Sequence, residues 1–164
     1  MIIGVVSDTH NNLKNVEKII EIFNHKKVKL VIHTGDITQA KTLKLFTSLQ
    51  CPLIGVWGNN DRSEVGLKEV CCDLDFSFEE PPMLRRIGDK NIAIFHEPDP
   101  IKNFISSHEN IIDMIIHGHT HRYRNEKIDG IAFFNPGESA GIFEGKNSIG
   151  IVDTEDLRTE RIFF

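Results

Sequence analysis

The chain has 164 residues, a formal net charge of -5 at pH 7, 40% hydrophobic and 26% charged residues. That size suits a single domain over 1–164 with a core of its own, in a composition ordinary for a soluble globular protein. The negative balance argues against broad electrostatic binding of nucleic acid, but not against a small anionic substrate, because a bound cation reverses the local field. No apolar run approaches bilayer length, and Met1-Ile2-Ile3-Gly4 opens straight into a strand with no basic leader. A cytoplasmic protein without a membrane partner is therefore expected. Cys51, Cys71 and Cys72 read as reduced thiols with small, buried side chains.

In chain order, Ile2 to Val6 is a β-rich run closed by Ser7-Asp8-Thr9-His10. Asn11 or Asn12 caps a helix running to about residue 25, with Leu13, Val16, Ile19, Ile20 and Phe23 at helical spacing. His25 falls at its end and is read as structural. Val28 to His33 is a second strand, leading into Thr34-Gly35-Asp36, and His33 is read as a packed or hydrogen-bonded support. Gln39 to Leu49 is a second helix with Leu43, Phe46 and Leu49 inward. Pro52 to Trp57 is a third strand, followed by Gly58-Asn59-Asn60-Asp61. This β-α-β-α-β alternation predicts a parallel sheet with helical crossovers.

The middle is less regular. A short helix is expected over Glu64 to Cys71 and an extended piece over Asp75 to Phe78, before Pro81-Pro82. Leu84 to Ile87 and Asn91 to Phe95 form a hairpin across Gly88-Asp89, ending at His96-Glu97-Pro98. A helix follows over Asp99 to His108, with His108 exposed near its end. The apolar run Ile111 to Ile116 reads as a strand buried on both faces. It leads into His117-Gly118-His119-Thr120-His121, where period-two alternation would project the imidazoles the same way. Two further hairpins pair Tyr123–Ile128 with Ile131–Phe134, and Ser148–Val152 with Arg158–Phe164.

The polar stretches each follow a strand: Asp8-x-His10, Gly35-Asp36, Gly58-Asn59, His96 and Gly118-His119-x-His121. Each is weak alone. The ordered set resembles the calcineurin-like metallophosphoesterase superfamily, and within it the small YfcE-type phosphodiesterases of bacteria and archaea. The resemblance implies an α/β fold, a four-layer α/β/β/α sandwich of two mixed sheets flanked by helices (the metallo-dependent phosphatase fold). It implies Asp8, His10 and His121 on a first metal ion, Asn59, His96 and His119 on a second, and Asp36 bridging them. The cofactors would be two divalent transition-metal ions, with manganese first and nickel, iron, cobalt or zinc as alternatives, since nitrogen and oxygen ligands suit these better than calcium or magnesium. A hydroxide activated between the ions would attack a small phosphodiester. A homodimer is implied for this branch, with no stretch of the chain marking its interface.

Two departures matter. Many relatives carry a histidine general acid directly after the asparagine, where this chain has Asn60, and an amide cannot deliver a proton at a useful pKa. Relatives usually have His-Gly-His where this chain has His96-Glu97-Pro98. Asn60 and Glu97 are thus candidate substrate-binding residues, with Glu97 an extra carboxylate beside the metals, a substrate filter or a strand-end cap. The Asn135-Pro136-Gly137-Glu138-Ser139 loop resembles the family's Asn-Pro-Gly-Ser loop and is expected to border the site without being catalytic. The competing functions are a phosphomonoesterase at the same site, an interaction scaffold like the retromer subunit of this fold, and a nuclease. The nuclease is disfavoured by the charge, with Arg85-Arg86, Arg122, Arg124 and Lys127 read as solvated strand faces. Phe163 and Phe164 either mark a partner surface or close a core strand, and the second is preferred.

Overall fold

A computed structural model describes residues 1–108 and 111–164. The elements are β1 (Ile2–Val6), α1 (Leu13–Lys26), β2 (Val31–His33), α2 (Ala40–Leu45), β3 (Leu53–Val56), α3 (Leu67–Asp73), β4 (Ser77–Glu79), β5 (Met83–Ile87), β6 (Lys90–Ile94), α4 (Ile101–Ser107), β7 (Met114–Ile116), β8 (Arg124–Ile128), β9 (Ile131–Asn135), β10 (Ser148–Asp153) and β11 (Arg158–Phe163). A single turn of 3-10 helix, Phe46–Ser48, finishes α2, so the second helix is shorter than its apolar spacing predicts.

Two mixed sheets result. The first has the order β11-β10-β1-β2-β3-β4 and the second β5-β6-β7-β9-β8. In the first, β1 to β4 are parallel, joined by helical crossovers, and the β10–β11 hairpin adds an antiparallel edge beside β1. The extended piece after α3 proves to be a fourth parallel strand, pairing Gly55 with Phe78. In the second sheet the predicted hairpins form the flanks, while β6, β7 and β9 run parallel in the middle.

The period of two decides the layering. Ile3, Val5, Ile32 and Val56 of the first sheet meet Met83, Ile92, Ile94, Met114, Ile116 and Phe134 of the second, a dry layer between the sheets. The alternate residues face outward. Val6, Val31 and Leu53 pack under Val16, Ile19 and Phe23 of α1, Leu43 of α2 and Leu67 of α3. Ala93, Phe95, Ile115 and Phe133 pack under Ile101 and Phe104 of α4. The result is helix, sheet, sheet, helix. Truncating a fully buried member of the middle layer, such as Ile94 or Phe134, would cost about 2–5 kcal/mol.

Asn12 caps α1, its Oδ1 accepting the Asn15 N–H at 3.2 Å, and the helix closes at Lys27 in the left-handed conformation. His25 lies on its exposed last turn. His108 is half-buried rather than exposed, because its ring stacks on Phe104 at 4.1 Å and meets the Phe104 carbonyl at 2.9 Å. Phe164 packs against the helix-side core of the first sheet, whereas Phe163, one residue earlier on edge strand β11, points to solvent. All three cysteines are free thiols, and burial pushes Cys51 and Cys71 up from the usual range. Among the described residues no helix is long and apolar enough to cross a membrane.

Candidate metal centre

The parallel strands of both sheets end on one side, and the loops leaving them are latched together through backbone. The Asp8 N–H donates to the Gly35 carbonyl at 3.1 Å and the His10 N–H to the Asp36 carbonyl at 2.9 Å. Within the second sheet, the Gly118 N–H donates to the His96 carbonyl at 3.0 Å, and across the sheets the His119 N–H donates to Asp8 Oδ2 at 3.1 Å. The loop after β7 therefore sits on the loop after β1. Glycine makes that approach feasible: a Cβ at Gly118 would lie 2.1 Å from Ser7 Oγ, and one at Gly58 would lie 2.4 Å from the Asp36 amide nitrogen.

Asp8, His10 and His121 converge, with one ligand atom from each within 4.8 Å of the others, and so do Asp8, Asp36 and His96. His121 Nε2 is 3.3 Å from Asp8 Oδ1. The Asp36 carboxylate lies between the two groups, with Oδ1 3.4 Å from His96 Nε2 and Oδ2 3.9 Å from His10 Nε2. Asn59 Oδ1 is 2.9 Å from His96 Nε2 and 3.0 Å from His119 Nδ1, and those two nitrogens are 3.3 Å apart. The seven residues singled out in the sequence thus come together.

The histidine loop does so by a different route from the one expected. His119 and His121 lie beyond the end of β7 and have φ of 67° and 56°. Strand alternation does not govern them, and their rings part company: His119 turns to Asn59 and His96, His121 to Asp8 and His10. Asp8, His10 and Asp36 share the left-handed conformation, with φ of 51°, 43° and 59°. That region is sparsely used by residues other than glycine, costs of order 1–3 kcal/mol each, and persists only where the surrounding structure holds it.

The donor set fits divalent cations. Asp8 Oδ1 and His10 Nε2 are buried without a hydrogen-bond partner among the described residues, although both face the same point as His121. Buried polar atoms left in this way are costly, and a cation satisfies them all at once. Burial opposes ionisation of Asp8, yet the neighbouring His121 imidazole and the hydrogen bond from Ser7 hold its carboxyl below the usual carboxylate range. The same Asp8 contact raises His121 above the ordinary imidazole value against its burial.

The other predicted residues divide. Asn60 is exposed beside the site, its Nδ2 donating to Asp36 Oδ2 at 2.7 Å and its backbone N–H to Asp36 Oδ1 at 3.0 Å. Glu97 belongs to neither ligand group and lies 3.5 Å from Arg62 Nη2, while Arg62 Nε is 3.5 Å from Glu80. His33 is a support residue: its Nδ1 accepts the Gly35 N–H at 3.1 Å, which leaves Nε2–H to meet Thr9 Oγ1. Complete burial lowers it to about 3, so it is neutral. His117 is likewise buried and lowered to about 4 by desolvation, with Nδ1 on the Gly118 carbonyl. Asn135 holds the histidine loop, donating to the Gly118 carbonyl at 3.0 Å and to Thr120 Oγ1 at 3.2 Å.

Sequence reasoning passed over Asp61. Its Oδ1 accepts the Ile37 and Thr38 N–H groups at 2.8 and 2.7 Å, and its Oδ2 accepts those of Asp36 and Gly58, both at 2.8 Å. This one carboxylate clamps the Asp36 turn to the Asn59 turn. Burial pushes its pKa up, with nearby Asp36 adding to the rise. The available signal was an aspartate in a turn directly after a strand, which a plain turn explains equally well. Glu138 was passed over too: it is buried and accepts the Gly141 and Phe143 N–H groups at 2.9 and 3.1 Å.

Comparison with known proteins identifies the family. The phosphodiesterase MJ0936 of Methanocaldococcus jannaschii is 39% identical over 166 residues, which cover 94% of each chain. A solved structure described as a novel archaeal phosphodiesterase superposes with a TM-score of 0.90 at 35% identity, over the whole of both chains. The phosphoesterase YfcE of E. coli shares the fold, with a TM-score of 0.72 at 22% identity over 99% of this chain and 98% of its own. The model of the calcineurin-like phosphoesterase superfamily domain matches residues 1–157, and the chain belongs to that superfamily.

Proposed function

We propose that this hydrolase of phosphoric esters is a metal-dependent phosphodiesterase with a dinuclear centre. Asp8, His10 and His121 would hold one ion, Asn59, His96 and His119 the other, with Asp36 shared between them. The observation that carries this reading is the Asp36 carboxylate set between His10 and His96, beside the unpartnered Asp8 Oδ1 and His10 Nε2. Two ions held there would neutralise phosphoryl oxygens and bring the pKa of water toward neutrality. Manganese is proposed as the resident ion, and three free thiols accord with a reducing cytoplasm.

The chain's own residues support that chemistry by position. Ser7, Asp61 and Asn135 hold the loops that carry the ligands. Neutral His33 and His117 buttress the loop bases without adding positive charge. Asn60 supplies no acid for the departing alcohol, so esters with good leaving groups are favoured.

The test is hydrolysis of bis(p-nitrophenyl) phosphate by purified protein with manganese, after chelation, and after manganese is restored, together with a calorimetric count of ions bound. Turnover that disappears on chelation and returns with manganese, at two ions per chain, is expected. No turnover with any first-row divalent metal, or one ion per chain, overturns the reading.

A further inference from the structure

Beside the metal centre, on the His121 side, lies an open cleft of about 470 Å³ lined by His121, Arg122, Tyr123, Phe143, Lys146, Arg161 and Phe163. Its chemistry differs from the rest of this acidic surface. Three aromatic rings are at least a third exposed there, Phe163 at 57%, Phe143 at 47% and Tyr123 at 39%. Three cations stand with them, and among the described residues none of Arg122, Lys146 and Arg161 has a carboxylate within ion-pair distance. The contrast holds among the arginines: the other five, Arg62, Arg85, Arg86, Arg124 and Arg158, each have a carboxylate partner, whereas lysines elsewhere, such as Lys41, Lys90 and Lys102, have none among the described residues.

The cleft is also built rather than incidental. The Arg161 guanidinium lies over Tyr123 at 4.6 Å and over Phe163 at 4.3 Å, and its Nε donates to Ser148 Oγ at 3.0 Å. Phe143 forms the opposite wall, its ring edge-on to the His121 ring at 6.5 Å, with Lys146 Nζ 5.9 Å above it. The loop that presents Phe143 is pinned from beneath by buried Glu138, through the Gly141 and Phe143 N–H groups. An exposed ring on a loop anchored through its backbone, beside unpaired cations, is a platform for a flat π-system carrying negative charge.

Resting on the phosphodiesterase reading, we propose that this cleft selects the substrate: it takes one ester arm that carries a flat aromatic ring and a second anionic group, the combination a nucleoside phosphate presents. The ring lies against Phe143, and the second anion meets Arg122 and Lys146, while the scissile phosphate sits at the metal centre next to His121.

The test uses the manganese-loaded protein and three diesters with one leaving group: methyl p-nitrophenyl phosphate, thymidine 5′-(p-nitrophenyl phosphate), and thymidine 3′-phosphate 5′-(p-nitrophenyl phosphate). In each, water adds to phosphorus, the bond from phosphorus to the p-nitrophenyl oxygen breaks, and p-nitrophenolate leaves. The expected kcat/KM rises about tenfold when the base is added and about tenfold again with the 3′-phosphate. Phe143→Ala brings the first ratio to about one, and Arg122→Gln with Lys146→Gln brings down the second. Equal values for all three diesters, or variants that lower all three alike, overturn the proposal. Wild-type protein inert toward every diester would instead overturn the phosphodiesterase reading. Calorimetric binding of thymidine 3′,5′-bisphosphate then decides the cleft by itself: binding weakened about tenfold by Phe143→Ala supports it, and no binding, or binding indifferent to that change, overturns it.

Discussion

Asp61→Asn is the sharpest probe of how this site is held. The carboxylate accepts four backbone N–H groups, two on each oxygen, at 2.7–2.8 Å. An amide keeps one oxygen. Whichever way it is turned, its NH2 faces two buried N–H donors. Leaving two buried donors unpaired costs about 1–3 kcal/mol each, or about 2–6 kcal/mol together. Part of this is returned, because a buried carboxylate whose pKa burial has raised is removed. A net loss of about 3 kcal/mol is expected, and a thermal midpoint lowered by about 6–12 °C at this chain length. Urea unfolding of the chelated protein isolates this loss from any metal. Manganese titration of the folded variant then reads the second consequence, an affinity at least about tenfold weaker as the Asp36 turn loses its clamp. A stability change under about 1 kcal/mol with unchanged manganese affinity would refute the role assigned to Asp61.

Three further predictions follow from the same structure. His33 is held at about 3 against 6.5 when free, and His117 at about 4, so below pH 6.5 the unfolded chain binds protons that the folded chain refuses. Their contribution is complete above pH 6.5 and is lost as pH falls, by up to about 1.4 kcal/mol per unit for each, partly opposed by His121, whose pKa is raised. Urea midpoints of chelated protein should therefore drop between pH 7 and 5, and a flat profile would contradict the buried neutral state of both rings. Gly118→Ala places a methyl group 2.1 Å from Ser7 Oγ and 3.0 Å from Asp8 Oδ2. It should weaken manganese binding by at least about tenfold with the far-ultraviolet circular dichroism unchanged, and native affinity would show that the loops do not need this approach. Glu97→Ala removes a partly exposed ion pair with Arg62 and should shift stability by less than about 1 kcal/mol, as measured by urea unfolding. A larger loss would mean that Glu97 holds the loop.

The strands were legible as apolar runs, but the four-layer arrangement came only from the family resemblance: Ile92-Ala93-Ile94-Phe95 is apolar throughout, and the structure alone shows Ile92 and Ile94 facing one core and Ala93 and Phe95 the other. The metal-ligand candidates were legible because each polar cluster directly follows an apolar run. What escaped is long-range or conformational. The strand Ser77–Glu79 is only three residues long and gains its identity from pairing with β3. Asp61 looks like any turn aspartate until four N–H groups from two separate loops are seen to meet on it. The divergence of His119 from His121 depends on positive φ angles, which a two-residue spacing does not encode.

Those φ angles also restrict what can replace the residues that bear them. Asp8, His10, Asp36, His119 and His121 all occupy a conformation that aspartate, asparagine and histidine enter several-fold more readily than other non-glycine residues, and that β-branched side chains almost never enter. The backbone alone therefore narrows the choice at each position to a small alphabet, and most of that alphabet can ligate a metal. Asparagine in place of Asp8 or Asp36 removes the negative charge while keeping the turn. Alanine at either site alters main-chain energetics and donor chemistry together, so an alanine scan would overstate what each ligand contributes to the ion.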